Sequence, residues 1–150
     1  MRIVFILTFA ANIILTIASL WILPERVGMH FGAGGEVNSY GSRETFVLIM
    51  LATEIPFFLL MYYATAIAFA VPRRYVNLPN KDYWMRPEKA AEARRTLTRY
   101  MDECGVLFCG FLLLIGVATI QANLRQPPRL DIGPFWAMMA AFFAWLGWWL

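Results

Sequence analysis

Few residues in this chain could do chemistry, and most of them stand alone. His30 is the only imidazole and Cys104 and Cys109 are the only thiols among 150 residues. A neutral imidazole can ligate a metal, sense pH or brace a loop. A metal here would have to recruit Glu25, Glu36 or Asp131 from elsewhere, so His30 reads as a strut that bonds loop backbone, with no metal and no cofactor. The cysteines lie five apart, on different faces of a helix, and read as packing residues. No Ser-His-Asp set, phosphate loop or carboxylate pair is present, which points away from an enzyme. Glu54 is more informative, because a carboxyl inside an apolar run is costly to bury. Thr8, Asn12, Thr16 and Ser19 follow one another at spacings of 4, 4 and 3 and form one polar stripe that should face protein. Counted from opposite surfaces of a core about 30 Å thick, Asn12 lies about 14 Å deep and Glu54 about 12 Å deep. No Lys or Arg lies inside a run to neutralise Glu54. It is therefore expected to be protonated and to donate to a group such as Asn12. The alternative is a polar intramembrane site at Glu54, serving a small transporter or membrane enzyme.

A membrane architecture must position these groups. Apolar residues make up 60% of the chain and charged ones 15%, against about 45–50% and about 25% in soluble domains. The expected fold is an all-α integral membrane domain over residues 1–150, with four transmembrane helices near 3–22, 46–71, 106–124 and 132–150. An ordered outer loop and a cytoplasmic helical extension complete it. The runs are apolar on all faces, as lipid-exposed helices are. The first is too long for the core of a signal peptide. Pro56 should tilt or bend the second span. Residues 72–100 hold eight of the 13 Lys and Arg against Asp82, Glu88 and Glu92. Positive charge stays inside, so both termini are expected in the cytoplasm, with His30 and Asn123 outside and Arg94 inside, in the inner membrane. That excess marks a belt beside anionic lipid rather than a nucleic-acid surface. A helix should start at Pro87 and run into the third span as one rod, with Arg99 meeting Asp102 and Glu103.

The first loop carries Gly28, Gly32, Gly34, Gly35 and Gly41 with the apolar anchors Phe31, Val37 and Tyr40. That pattern predicts an ordered outer cap in which His30 and Phe31 turn inward. On the other side of the bilayer, residues 77–84 should make a compact turn at headgroup level. There Pro79 fixes φ, Asn80 and Asp82 bond nearby backbone, and Tyr83 and Trp84 suit the interface.

The series Leu23, Pro24, Val27, His30, Phe31, Gly35, Asn38, Tyr40, Ser42 and Arg43 resembles domain-of-unknown-function family 1648, the bacterial membrane domain at the start of SdpI-type immunity and signalling proteins. The departures are Gly28 for a frequent proline, Asn38 for aspartate, Tyr40 for tryptophan and Arg43 for lysine. The loss of the aspartate weakens any cation-binding role. A second stretch around Asn77, Pro79, Asn80, Asp82 and Trp84 is similar to one in small stand-alone members. The resemblance implies a non-enzymatic inner-membrane protein, immunity-like or an accessory subunit of a membrane complex. It would meet a peptide or membrane-protein partner through His30, Phe31, Asn38, Tyr40 and Arg43, with the lipid bilayer as its other partner and no nucleic acid. The longer immunity proteins carry further membrane helices that this chain lacks.

Overall fold

Four helices carry the apolar runs in a computed structural model that describes residues 1–77 and 80–149, apart from the side chain of Arg73. They are α1 (Arg2–Ile22), α2 (Arg43–Ala70), α4 (Ala90–Leu124) and α5 (Ile132–Trp149), and each is long and apolar enough to cross a membrane. Large apolar side chains such as Ile3, Leu7, Ile14, Leu48 and Leu60 remain exposed on them. A soluble protein could not sustain that surface, and the chain is a multi-pass membrane protein.

Three of the helices form the core. α1 buries Phe5, Asn12, Thr16 and Ser19, while α4 buries Asp102, Gly105, Cys109, Leu112, Gly116, Ile120 and Asn123. The α4 set recurs every three or four residues and the α1 set at steps of seven, four and three, giving a narrow seam of the coiled-coil kind. Small residues on α4 let α1 approach: a Cβ on Gly105 would lie 2.5–2.7 Å from three ring atoms of Phe5. In a bilayer, such close backbone approach drives helix association, since burial from water is no longer available. Ring packing joins α2 to both partners, with Phe9 stacked on Phe58 and Phe57 on Phe108, each at 4.0 Å. α2 starts cleanly because the Ser42 hydroxyl accepts from the Thr45 N–H at 3.1 Å, with Glu44 in the first turn. It stays helical through Pro56 to Ala70. α5 stands apart, with none of its residues buried.

At the basic end, α4 is one rod of 35 residues. It starts at Ala90 rather than at Pro87, whose stretch forms a turn. Arg99 Nε reaches Glu103 at 3.5 Å, as the spacing predicts, but Asp102 turns inward and pairs with Arg2 Nε at 3.1 Å. Arg2 also donates from Nη1 to the Tyr62 carbonyl at 3.1 Å and lies 4.3 Å over the Tyr62 ring, tying α1, α2 and α4 together. Before the rod come a single 3₁₀ turn (Arg73–Tyr75) and a four-residue helix, α3 (Lys81–Trp84). Asn80 enters α3 in the left-handed region (φ 53°), and its carbonyl accepts from the N–H groups of Tyr83 and Trp84. The side chain of Asn80 makes no capping bond, so its contribution is conformational rather than the expected hydrogen bond. Asn77 and Asp82 are exposed, Trp84 is half-buried, and Pro79 lies outside the described residues.

Candidate functional site

The first loop is ordered, but as strands: β1 (Arg26–Phe31) pairs antiparallel with β2 (Val37–Ser42). The turn between them closes with Gly32 N–H donating to Glu36 O at 2.7 Å and Gly35 N–H to Gly32 O at 2.9 Å. Gly35 sits at φ +83°, which side-chain-bearing residues rarely adopt. Register irregularities fall on both sides of His30. The hairpin has two unlike faces. On the lower one, Val27 is fully buried with Leu23, Phe46, Val47 and Ile120, and Met29 packs against that cluster. On the upper one, Arg26, His30, Asn38 and Tyr40 are exposed.

The structure corrects the expectation for His30. It does not turn inward or brace loop backbone; its Nδ1 lies 2.6 Å from Asn38 Oδ1 across the strands. The bulge around His30 shifts the pairing so that its ring stays with the polar set, and a ring among Val27 and its apolar neighbours would lose that partner. Since Asn38 Oδ1 can only accept, this bond is donated by His30 Nδ1. Phe31 is half-buried. Tyr40 carries the Arg26 guanidinium 4.1 Å above its ring. Arg43 lies beyond the hairpin at the start of α2, with Nε 3.1 Å from Glu44. Among the described residues, no group of three or more His, Cys, Asp or Glu is placed to hold a metal.

The hairpin is tied to α4 by a residue whose role the sequence did not reveal. Asn123, buried in the last turn of α4, accepts the Gly28 N–H at 2.6 Å through Oδ1. Through Nδ2 it donates to the Gly28 carbonyl at 3.1 Å and to Thr119 O at 3.0 Å. One amide thus pairs with both backbone groups of a strand residue, as a neighbouring strand would. The bond to Asn123 needs an N–H that the proline common at this position in the resembled pattern lacks, and glycine in particular fits because a Cβ there would lie 2.7 and 2.9 Å from the Val37 γ-carbons. The hairpin tip is held by the connection between α4 and α5: Leu130 N–H donates to Gly35 O at 2.8 Å, and Arg129 Nη2 to Gly34 O at 3.1 Å. The available sequence signal was an asparagine closing an apolar run, three residues after Ile120 on the α4 seam.

The second polar constellation lies inside the bundle. Glu54 is 2% exposed, and the Thr16 hydroxyl lies 3.0 and 3.2 Å from its two carboxyl oxygens. Asn12 is not its partner. The Asn12 amide instead donates to Thr8 O at 3.0 Å and, across to α4, to Cys109 O at 2.8 Å. Ser19 donates to Leu15 O at 2.9 Å. The stripe therefore faces protein, and each of its buried members has a partner, as helix-joining polar groups do.

A family described as "Domain of unknown function (DUF1648)" matches residues 6–53, which cover most of α1, the hairpin and the first part of α2. Glu54, Asn123 and the whole of α4 and α5 lie beyond that match. An uncharacterized protein of the archaeon Archaeoglobus fulgidus is 34% identical over 117 residues, 69% of this chain and 61% of the archaeal one. The chain thus spans about three fifths of that relative's length. No solved structure matches the chain. Over residues 6–53, most of α1, the hairpin and the first part of α2, the chain carries the DUF1648 domain.

Proposed function

We propose that this is a non-enzymatic recognition protein of the inner, cytoplasmic membrane, which meets a peptide or protein through the upper face of the hairpin. Its role would be immunity-like or that of an accessory subunit in a larger membrane complex. The observation that carries this reading is the contrast between the two hairpin faces. Val27 and the Asn123 amide fix the hairpin from below, while Arg26, His30, Asn38 and Tyr40 stand exposed above. A rigid support beneath exposed aromatic and hydrogen-bonding groups lowers the entropy cost of binding. The basic end, with Arg74, Arg86, Lys89, Arg94, Arg95 and Arg99, supports an orientation with both termini inside and the hairpin outside. Glu54 supports packing rather than transport, since its carboxyl is buried against the Thr16 hydroxyl.

The test is a photo-crosslinking residue at Tyr40, compared with one at lipid-facing Leu48, in native membranes. Capture of one defined polypeptide from Tyr40 alone, lost on His30→Ala or Asn38→Ala in a folded chain, is the expected result. Lipid adducts alone at both positions would defeat the reading. Orientation is tested separately by labelling single cysteines on a Cys-free background, where Asn38→Cys should react from outside intact cells and Arg94→Cys should not.

A further inference from the structure

The two long edges of the hairpin are closed unequally. In an antiparallel pair, the residues of every second rung turn their N–H and C=O groups away from each other. Gly28 turns both groups out to Asn123 at the β1 edge, so Tyr40, its partner across the rung, turns both of its own out at the β2 edge. Two positions on, the Ser42 N–H points the same way. The start of that β2 edge is already taken. Residues 129–130, between α4 and α5, lie against it as a short antiparallel segment, with Arg129 bridged to Glu36 and the Leu130 N–H donating to Gly35 O at 2.8 Å. From Asn38 to Ser42 no segment among the described residues continues the pairing. Val37–Ser42 also holds no proline and no charged side chain, two of the usual protections of an exposed edge.

On the footing that the hairpin is a recognition surface, we propose that it binds by strand addition: an extended acidic peptide segment pairs along β2 at Tyr40 and brings a carboxylate to Arg26. Main-chain bonds to the outward Tyr40 groups supply affinity, and side chains at alternate positions supply selectivity. The side chain opposite Tyr40 stands on the same upper face, with the two Cβ atoms about 4.5–5.5 Å apart. There the Arg26 guanidinium lies 4.1 Å over the Tyr40 ring, and among the described residues it pairs with no carboxylate. An acidic side chain at that position gains a charge-assisted bond. A second copy pairing through its own β2 would bring another Arg26 to the same face, a like charge in place of that carboxylate. The edge thus suits an acidic peptide better than it suits itself.

A display library of short random peptides, panned against the full chain in nanodiscs and against empty nanodiscs, supplies the probe. The most enriched peptide is resynthesised with each backbone amide N-methylated in turn. Methylation should weaken binding about tenfold at every second residue and little in between, because only alternate N–H groups face β2. Replacing the peptide's carboxylate by an amide should weaken binding to the unaltered chain but not to Arg26→Gln. Tyr40→Pro removes the outward N–H and leaves the ladder, so it should bind about tenfold more weakly than Tyr40→Ala, which removes the ring alone. Unchanged hydrogen exchange over residues 26–31 confirms that the hairpin is intact in both; if it changes, the methylation scan alone decides. Methylation effects without a two-residue period, or Tyr40→Pro equal to Tyr40→Ala in an intact hairpin, overturn strand addition and leave recognition by the upper face standing. Failure of any peptide to enrich over empty nanodiscs defeats both. A dimer of the unaltered chain that dissociates in Tyr40→Pro but not in Tyr40→Ala would overturn strand addition as well, by giving the edge to a second copy.

Discussion

Removing the Asn123 side-chain amide should release the hairpin without unfolding the bundle. In Asn123→Leu the Gly28 N–H and C=O both lose their partner, while the Thr119 carbonyl keeps its intrahelical donor. Gly28 is buried beneath Val37 and Asn123, so water cannot replace the amide without the strand lifting away. Each stranded backbone group costs about 1–3 kcal/mol. Part of that is recovered when the hairpin opens, which leaves a local destabilisation of about 3 kcal/mol. At about 1.4 kcal/mol per factor of ten, hydrogen exchange of the amides in residues 26–42 should accelerate on the order of a hundredfold, with the helices α1 and α4 unchanged as internal controls. Asn123→Asp keeps the acceptor but loses the donor to Gly28 O and buries a carboxyl beside that carbonyl, so it should resemble the leucine variant rather than the unaltered chain. Exchange measured by mass spectrometry in detergent or nanodiscs reports both. If Asn123→Leu folds normally and exchange over residues 26–42 rises less than about threefold, the hairpin is held by Val27 and its apolar neighbours alone. The rigid-support argument for recognition then fails with it.

Glu54→Gln should keep an acceptor for Thr16 and change stability by less than about 1 kcal/mol, while Glu54→Leu strands that hydroxyl and costs about 1–2 kcal/mol in a reversible detergent unfolding assay. Loss of function in a well-folded Glu54→Gln chain would favour an intramembrane transport site instead. Gly105→Ala drives a methyl into the Phe5 ring, so it should cost about 1–3 kcal/mol, and a double-mutant cycle with Phe5→Leu should show that the two changes are coupled. Strict additivity would mean that α1 and α4 do not touch at this point. His30→Ala removes one exposed bond to Asn38 and should shift stability by less than about 0.5 kcal/mol with metal content unchanged; one zinc per chain, lost in that variant, would overturn the account of His30.

Hydropathy alone made the four spans legible, because lipid-facing helices are apolar all round and need no periodic pattern to betray them. The α4 rod was legible for a different reason: the stretch between Ala90 and Arg99 is built mostly of good helix formers and meets the third span with no proline between them. The hairpin was legible as order but not as strands. Its β2 segment, Val37–Ser42, has little apolar alternation, and what fixes the pairing is largely non-local. Asn123 lies 95 positions from Gly28, and Arg129 lies 95 from Gly34. No local window contains either contact.

The partner of Glu54 shows where depth arithmetic stops being sufficient. Counted from the basic end, Glu54 lies about 18 Å deep in a core about 30 Å thick, Asn12 about 14 Å and Thr16 about 20 Å. Depth favours Thr16, but by only about 2 Å over its rival, less than the uncertainty in where a span begins. Azimuth decides. Four residues carry a helix through one turn and about 40° more, so a stripe at spacings of four drifts around α1 as it climbs. At Asn12 it faces α4 and bonds Cys109 O; one turn later, at Thr16, it has come round to α2 and meets Glu54. The stripe is thus a slanted seam that joins α1 first to one neighbour and then to the other. A channel lining would keep one face toward one water-filled space. A seam that changes partner within a single turn, with Asn12 and Thr16 each bonded to a different helix, acts to hold three helices together, and that is the physical ground for proposing recognition at the hairpin rather than inside the bundle.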